Sequence, residues 1–151
     1  RSVAGAVFAP ELGWLFEATA DGPALWNGRP LRVSDVGRTD LAMIHTGTDK
    51  TGLGEHSFRF LRTVVAMAQR ARITGSAAID ICLVAAGRAD AFFQPAFHLW
   101  DMAAAALLVE RAGGTCEILH DYGGYRIAFL ASNGRLHAPV RDALVPLLRA
   151  V

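Results

Sequence analysis

Apolar positions along the chain change period several times, and each change marks an element. Val3, Ala6 and Phe8, then Trp14 to Thr19, read as two strands joined by the turn Pro10-Glu11-Leu12-Gly13. The first of these strands is already under way at the start, with no Met before it, which predicts a processed or truncated product. Asp21-Gly22-Pro23 and Asn27-Gly28 are turn signals. Both residues of Asn-Gly tolerate positive φ, so Leu25-Trp26 and Leu31 to Val33 are expected to pair across it as short strands. Leu41 to His45 reads as a further strand, and "TGTDKTGLGE" as a surface loop without phosphate-loop spacing. Phe58, Leu61, Val65 and Ala68 then recur at i, i+3, i+7 and i+10, which predicts one helical face.

From residue 70 the order becomes regular. Arg70 to Ile73 reads as a short strand, and Ser76 can cap a helix that runs to Gly87. Ala89 to Phe93 is a strand, and Leu99 to Ala112 a helix closed by Gly113-Gly114. Thr115 to Leu119 and Ile127 to Ala131 are strands about the turn Tyr122-Gly123-Gly124. A last helix is expected from Asn133 to about Leu148, with Pro139 in its first turns and Pro146 kinking or ending it. Alternating strands and helices after early hairpins predict a layered α/β domain on a mixed sheet, in one domain over residues 1–151.

Composition narrows the classes. Hydrophobic residues make up 52% and charged residues 19%, so the chain can bury a core. Lys plus Arg number 15 against 14 for Asp plus Glu, and the basic residues are scattered, which argues against nucleic acid as the main partner. Cys82 and Cys116 lie in apolar runs without metal-ligand spacing and read as reduced packing residues, as in a cytoplasmic protein. No apolar run reaches the roughly 18–20 residues that span a bilayer, so no membrane partner is expected.

Two features carry candidate chemistry. Thr74-Gly75-Ser76-Ala77-Ala78 sits at a strand-to-helix turn, where small residues let a ligand approach unpaired N–H groups that favour an anion. Trp100-Asp101 sits at the next helix start, where a carboxylate can cap N–H groups or hold a hard cation such as Mg²⁺. Each alone also fits an ordinary helix cap. Together, on neighbouring βα units, they describe an anion site beside a cation-binding carboxylate, as phosphate-ester hydrolysis requires.

The run "GSAAIDICLVAAGRADAFFQPAFHLWDMAAAALLVERAGG", Gly75 to Gly114, resembles the C-terminal signature of the inositol monophosphatase family. Trp-Asp, small residues, an apolar run and Ala-Gly-Gly follow that family's order, and "WNGRPLRVS", Trp26 to Ser34, is similar to its Asn-Gly-[Lys/Arg]-Pro segment. The resemblance spans about residues 3 to 149. It implies the C-terminal domain of an inositol-monophosphatase-like fold and a Mg²⁺-dependent phosphatase of small phosphate monoesters, often a homodimer. It implies that Asp101 ligates metal and that Gly75, Ser76 and Ala77 lie against the substrate. Seven residues before the Asp, inositol-specific members carry a Glu that binds a substrate hydroxyl; Gln94 stands there, a group that can hydrogen-bond but has no charge.

The family's other metal ligands belong to a Gly-Glu-Glu segment and an Asp-Pro-[Ile/Leu]-Asp-Gly-[Thr/Ser] segment, and neither occurs in the 151 residues. One carboxylate cannot assemble a multi-metal site. The expectation is therefore a C-terminal half of a longer enzyme, inactive alone, with no complete catalytic set of its own. The rival is a non-catalytic protein-binding module. Among remaining polar residues, His98 could contact a phosphate or a neighbouring subunit but is expected to pack near the helix start, and Asp80 could line the rear of the site or a subunit contact but is expected on a solvated helix face. Arg59, Arg62 and Arg70 are candidates for a basic rim to a phosphate pocket, although a solvated face is the simpler expectation.

Overall fold

The computed structural model describes residues 2–48, 54 and 56–148. It contains two sheets. The first is antiparallel, in the order β1 (Ala4–Ala9), β2 (Trp14–Thr19), β3 (Leu25–Trp26), β4 (Arg29–Pro30). The second is mixed and runs β6 (Arg70–Arg72), β5 (Met43–Thr46), β7 (Ala91–His98), β9 (Arg126–Ser132), β8 (Thr115–Gly123). β5 is parallel to both β6 and β7, while β9 is antiparallel to both β7 and β8. The layered α/β expectation on a mixed sheet holds.

Strand side chains alternate between two cores, as a period of two requires. Phe92, Phe129 and Ala131 face helices α2 (Ala77–Ala85) and α3 (Ala103–Arg111), which also bury Phe16 and Ala18 of the first sheet. Ala91, Phe93, Ala128 and Leu130 face the other way, against Phe60 and Val64 of α1 (His56–Met67) and Val140, Leu144 and Leu148 of α4 (His137–Leu148). The helix pair α2/α3 is therefore sandwiched between two sheets, and both helices are apolar nearly all round. The run of alanines in α3 follows from close approach. A Cβ on Gly5 of β1 would sit 2.9 Å from the carbonyl oxygen of Ala104, so neither side has room for a larger group.

Several boundaries move from the sequence expectation, each for a physical reason. Asn27 (φ 48°) and Gly28 (φ 76°) form the tight turn, which fixes the pairs Trp26↔Arg29 and Leu25↔Pro30. The returning strand is thus residues 29–30 rather than 31–33, and the Val33 amide donates to Ala112 O in α3's cap instead. β7 extends to His98 through a register shift between Gln94 and Phe97, where Pro95 has no N–H to offer the ladder. Leu99–Asp101 form a single 3₁₀ turn, and α3 begins only at Ala103. Asn133 does not begin α4; its side chain accepts from the Leu136 amide at 3.0 Å just before it. Pro146 lies inside α4 without ending it. On α1 the buried residues are Ser57, Phe60 and Val64, so the face expected through Phe58 and Val65 points outward. Most of the loop expected at residues 46–55 lies outside the described residues.

Both cysteines are free thiols. Burial pushes the Cys82 thiol up to about 12 and raises Cys116, which is half-buried, as well, so neither is a nucleophile at neutral pH.

Glu117 of β8 links the second sheet to α4, meeting His137 Nε2 at 3.0 Å and the Arg141 guanidinium at 3.1 Å. Desolvation raises its pKa, but the hydrogen bonds from His137 and Arg141 outweigh that and hold it below the usual carboxylate range. With the folded value depressed, the native state binds fewer protons. The link is complete above the unfolded value of about 4.3 and is lost as the pH falls through the folded value. Glu117→Gln should therefore lower urea stability near neutrality and approach the wild type below that range. A constant difference across the acid limb would contradict the link.

Candidate functional site

The C-terminal ends of the parallel strands β5 and β6 open onto one cavity of about 500 Å³. This is where ligands gather in α/β sheets. Thr46, Gly47 and Thr48 contribute from the end of β5, Ile73 and Gly75–Ala78 from the turn into α2, Gln94 and Phe97 from β7, and Asp101 from the 3₁₀ turn. All five residues expected at the site, Gly75, Ser76, Ala77, Gln94 and Asp101, line this one space.

The turn is shaped by Gly75, whose φ of 93° is strained for any side chain even though open space surrounds its Cβ position. Ser76 is the N-cap of α2, its hydroxyl accepting from the Ile79 amide at 3.5 Å. The first amides of α2 therefore lie along the cavity wall with the helix's positive end. Gln94 packs over Gly47 so closely that a Cβ there would fall 2.7 Å from its Oε1, while its Nε2 donates to Ala96 O at 3.4 Å. Asp101 is half-buried; its Oδ2 accepts from the His98 amide at 3.2 Å and has no cationic side-chain partner among the described residues. No Lys, Arg or His is among the described lining residues. Backbone amides and a helix end face Asp101 here.

The structure corrects the reading of Asp80. It is 2% exposed rather than solvated. Its Oδ1 lies 2.5 Å from His45 Nδ1 and accepts from the Thr74 hydroxyl at 2.8 Å. Thr74 Oγ1 in turn accepts from the Ser76 amide at 3.3 Å. The chain His45–Asp80–Thr74–Ser76 thereby ties β5, α2 and the turn between β6 and α2. Sequence reasoning passed over His45 and Thr46. Thr46 Oγ1 lines the cavity, is buried, and has no hydrogen-bond partner among the described residues. The usable signal was a His-Thr pair at the end of an apolar strand, where both side chains enter the interior and need partners.

Other candidates fall away from the cavity. His98 is exposed, its ring stacked on Trp100 with centroids 4.5 Å apart, rather than packed inside. Arg59 and Arg62 lie beside His56 and Phe58 on α1, and Arg70 is likewise not among the lining residues.

A divalent ion fits the donor set in part. Mg²⁺ keeps several waters and takes one or two carboxylates, and Asp101 offers one without a competing cation. Asp80 is already committed to His45 and Thr74. Among the described residues no group of three or more His, Cys, Asp or Glu is arranged to hold a metal. Among the described residues no helix is long and apolar enough to cross a membrane.

Residues 1–147 match the inositol monophosphatase family. The chain is 40% identical over 116 residues to an inositol-1-monophosphatase of Mesorhizobium japonicum, covering 74% of this chain and 43% of that protein. It is 34% identical over 149 residues to the Nus factor SuhB of Xylella fastidiosa, covering 92% and 54%. Among solved structures it superimposes on an IMPase from Thermotoga maritima with a TM-score of 0.86 at 28% identity, over 98% of this chain and 57% of that one. The chain thus spans about half the length, or less, of the proteins it matches.

The Asp80 network predicts coupled substitutions. Thr74→Val deletes an exposed hydroxyl and should cost about 1 kcal/mol of stability. Asp80→Ala should cost more, and Thr74→Val should add little on top of it, because both break one chain of bonds. Additive losses in a double-mutant cycle of urea unfolding would show that the two residues act separately.

Proposed function

The chain belongs to the inositol monophosphatase family, and from that membership we propose that it is the C-terminal half of a Mg²⁺-dependent phosphatase of small phosphate monoesters. The observation that supports this most is the shared cavity: an acid without a cationic partner, Asp101, borders the same space as the amide end of α2. An anion entering there meets N–H donors on one side and a carboxylate on the other. A cation held by Asp101 removes that repulsion.

In this reading the amides of Gly75 and Ala77 hold phosphoryl oxygens without reorganisation, and that of Ser76 joins them by exchanging its bond to Thr74 Oγ1. Asp101 supplies one oxygen ligand to Mg²⁺. When bound, the ion supplies charge that polarises the phosphoryl group and lowers the pKa of water. Gln94 hydrogen-bonds a substrate hydroxyl, fixed in place over Gly47. The Thr46 hydroxyl, unpartnered in the described structure, is a further polar contact for the bound ester. A carboxamide both donates and accepts, so Gln94 suits a polyol such as an inositol phosphate or an amino alcohol such as histidinol phosphate.

Among the described residues a single carboxylate is free to ligate, so the attacking water lacks a base to orient it, and turnover needs carboxylates from a preceding segment. A second reading, a non-catalytic protein-binding module, draws on the likeness to a Nus factor. It also draws on the free edge of β1, where Phe8 and, just before the strand, Val3 are exposed.

Phosphate release separates the two. The purified chain with Mg²⁺ and a phosphate monoester should give no turnover above background. The longer protein carrying the acidic upstream segments should turn over, with Mg²⁺ required, and Asp101→Asn should lower its rate at least about a hundredfold, near 3 kcal/mol. Mg²⁺-dependent turnover by the chain alone would contradict the half-site reading, and an inactive longer protein would favour the binding module.

A further inference from the structure

A larger cavity, about 620 Å³, lies at the opposite end of α2, between that helix's C-terminal turn and the β2–β4 hairpins. Its chemistry is unlike that of the first. Arg29, Arg32 and Arg88 border it together with the indoles of Trp14 and Trp26, and among the described residues no carboxylate lines it. None of the three guanidinium groups, and neither indole N–H, has a hydrogen-bond or ion-pair partner among the described residues. Asn27 is the remaining polar side chain, and it is already committed. Its Oδ1 accepts from the Leu15 amide at 2.7 Å, and its Nδ2 donates to Gly13 O at 2.9 Å. The cleft is thus supplied with donors and starved of acceptors.

Its walls are preformed. Trp26 stacks on the buried Phe16 with centroids 5.0 Å apart and planes inclined by 26°, and Trp14 meets Trp26 edge-on, also at 5.0 Å. The backbone of Gly87, just past α2, approaches residues 32–34 so closely that a Cβ would fall 2.9 Å from Arg32 O. That contact fixes the segment bearing Arg32 against the turn bearing Arg88. The negative end of α2 does not reverse the sign of the cleft. Three guanidinium charges stand against a helix terminus worth about half a charge, and its last carbonyls already accept from the amides of Ala86, Gly87, Arg88 and Ala89.

We propose that this cleft binds an anion carrying a planar aromatic ring, of the nucleoside monophosphate type. The ring lies against the Trp14 and Trp26 indoles, and the phosphate is met by the forks of Arg29, Arg32 and Arg88. Guanidinium forks match phosphate oxygens in pairs, and indole faces accept any base without reading its sequence. The volume lies within the range of small-molecule sites. The inference goes beyond the phosphatase reading and does not rest on it.

The test is titration of the chain with AMP, adenosine, inorganic phosphate and a short single-stranded oligonucleotide, followed by the indole N–H signals of its three tryptophans. AMP should saturate and shift the Trp14 and Trp26 signals while leaving Trp100 in place. Adenosine and phosphate, each lacking half of the ligand, should bind at least about tenfold more weakly, a difference of about 1.4 kcal/mol. The double variant Arg32→Gln/Arg88→Gln changes only exposed side chains, so its fold should persist by circular dichroism while AMP affinity falls by at least about tenfold. The proposal is overturned by an absence of saturation up to about 10 mM AMP, well beyond the range of specific sites. It is equally overturned by phosphate binding as well as AMP, or by an affinity that the arginine substitutions leave unchanged. An oligonucleotide binding far more tightly than AMP would also overturn it, because the cleft would then belong to a nucleic-acid track.

Discussion

A carboxylate shut away from water must be met by donors, and Asp80 is that carboxylate. At 2% exposure it cannot rely on solvent, and an unpaired charge at such a depth is strongly destabilising. It is satisfied by His45 from β5 and Thr74 from the turn into α2. One requirement therefore sets the end of a strand, the start of a helix and the turn between them in a single geometry. The amides that border the cavity are held there by a group that the cavity's chemistry does not itself consume.

The layers explain why the site lies where it does. Alternating side chains on β7 and β9 feed two cores, so the sheet is covered on both faces and only strand ends and loops remain open to a ligand. The parallel strands β5 and β6 end together beside the N-terminus of α2, which supplies positive potential at one mouth. The other end of α2 meets the first sheet, where arginines and tryptophans gather without acids. A helix of nine residues, about 13 Å long, thereby separates two clefts of different chemical character.

Much of this was legible in the chain. Periodicity located nearly every element, because α2, α3 and the central strands are bounded by Gly, Ser and Asn whose conformational preferences are strong. Gly75 to Ala77 and Asp101 could be picked out because small residues and an isolated acid interrupt apolar runs at helix starts, and Gln94 only through its place seven residues before Asp101 in the family's pattern. What escaped depended on contacts between distant segments. Asp80 sits on a helix with apolar neighbours, and only the tertiary placement of His45, 35 residues earlier, turns it from an expected surface acid into a buried link. The α1 face was misread because Phe58 and Val65 satisfy helical spacing as well as Phe60 and Val64 do, and spacing cannot choose between adjacent stripes. The strand expected at 31–33 was displaced by the Asn-Gly turn, whose two-residue loop leaves no freedom in register. The cleft at Trp14 and Trp26 had no local signature, since Trp14 and Arg88 are brought to the stretch Trp26–Arg32 only by the fold.

The site on this chain is chemically one-sided. Among the described residues it offers amide donors and one carboxylate without a cationic partner, which suit the phosphoryl group and the ion proposed for it. The central claim is that the turn at Gly75 receives phosphate through its backbone. The most direct measurement is a titration of the isotope-labelled chain with inorganic phosphate, read at the backbone amides. The account predicts that the Gly75, Ser76 and Ala77 resonances move together along one saturation curve, and that Gly75→Ala, which forbids the left-handed turn, abolishes the response while the sheet resonances stay in place. Saturable phosphate shifts elsewhere on the chain with these three amides unmoved would contradict it.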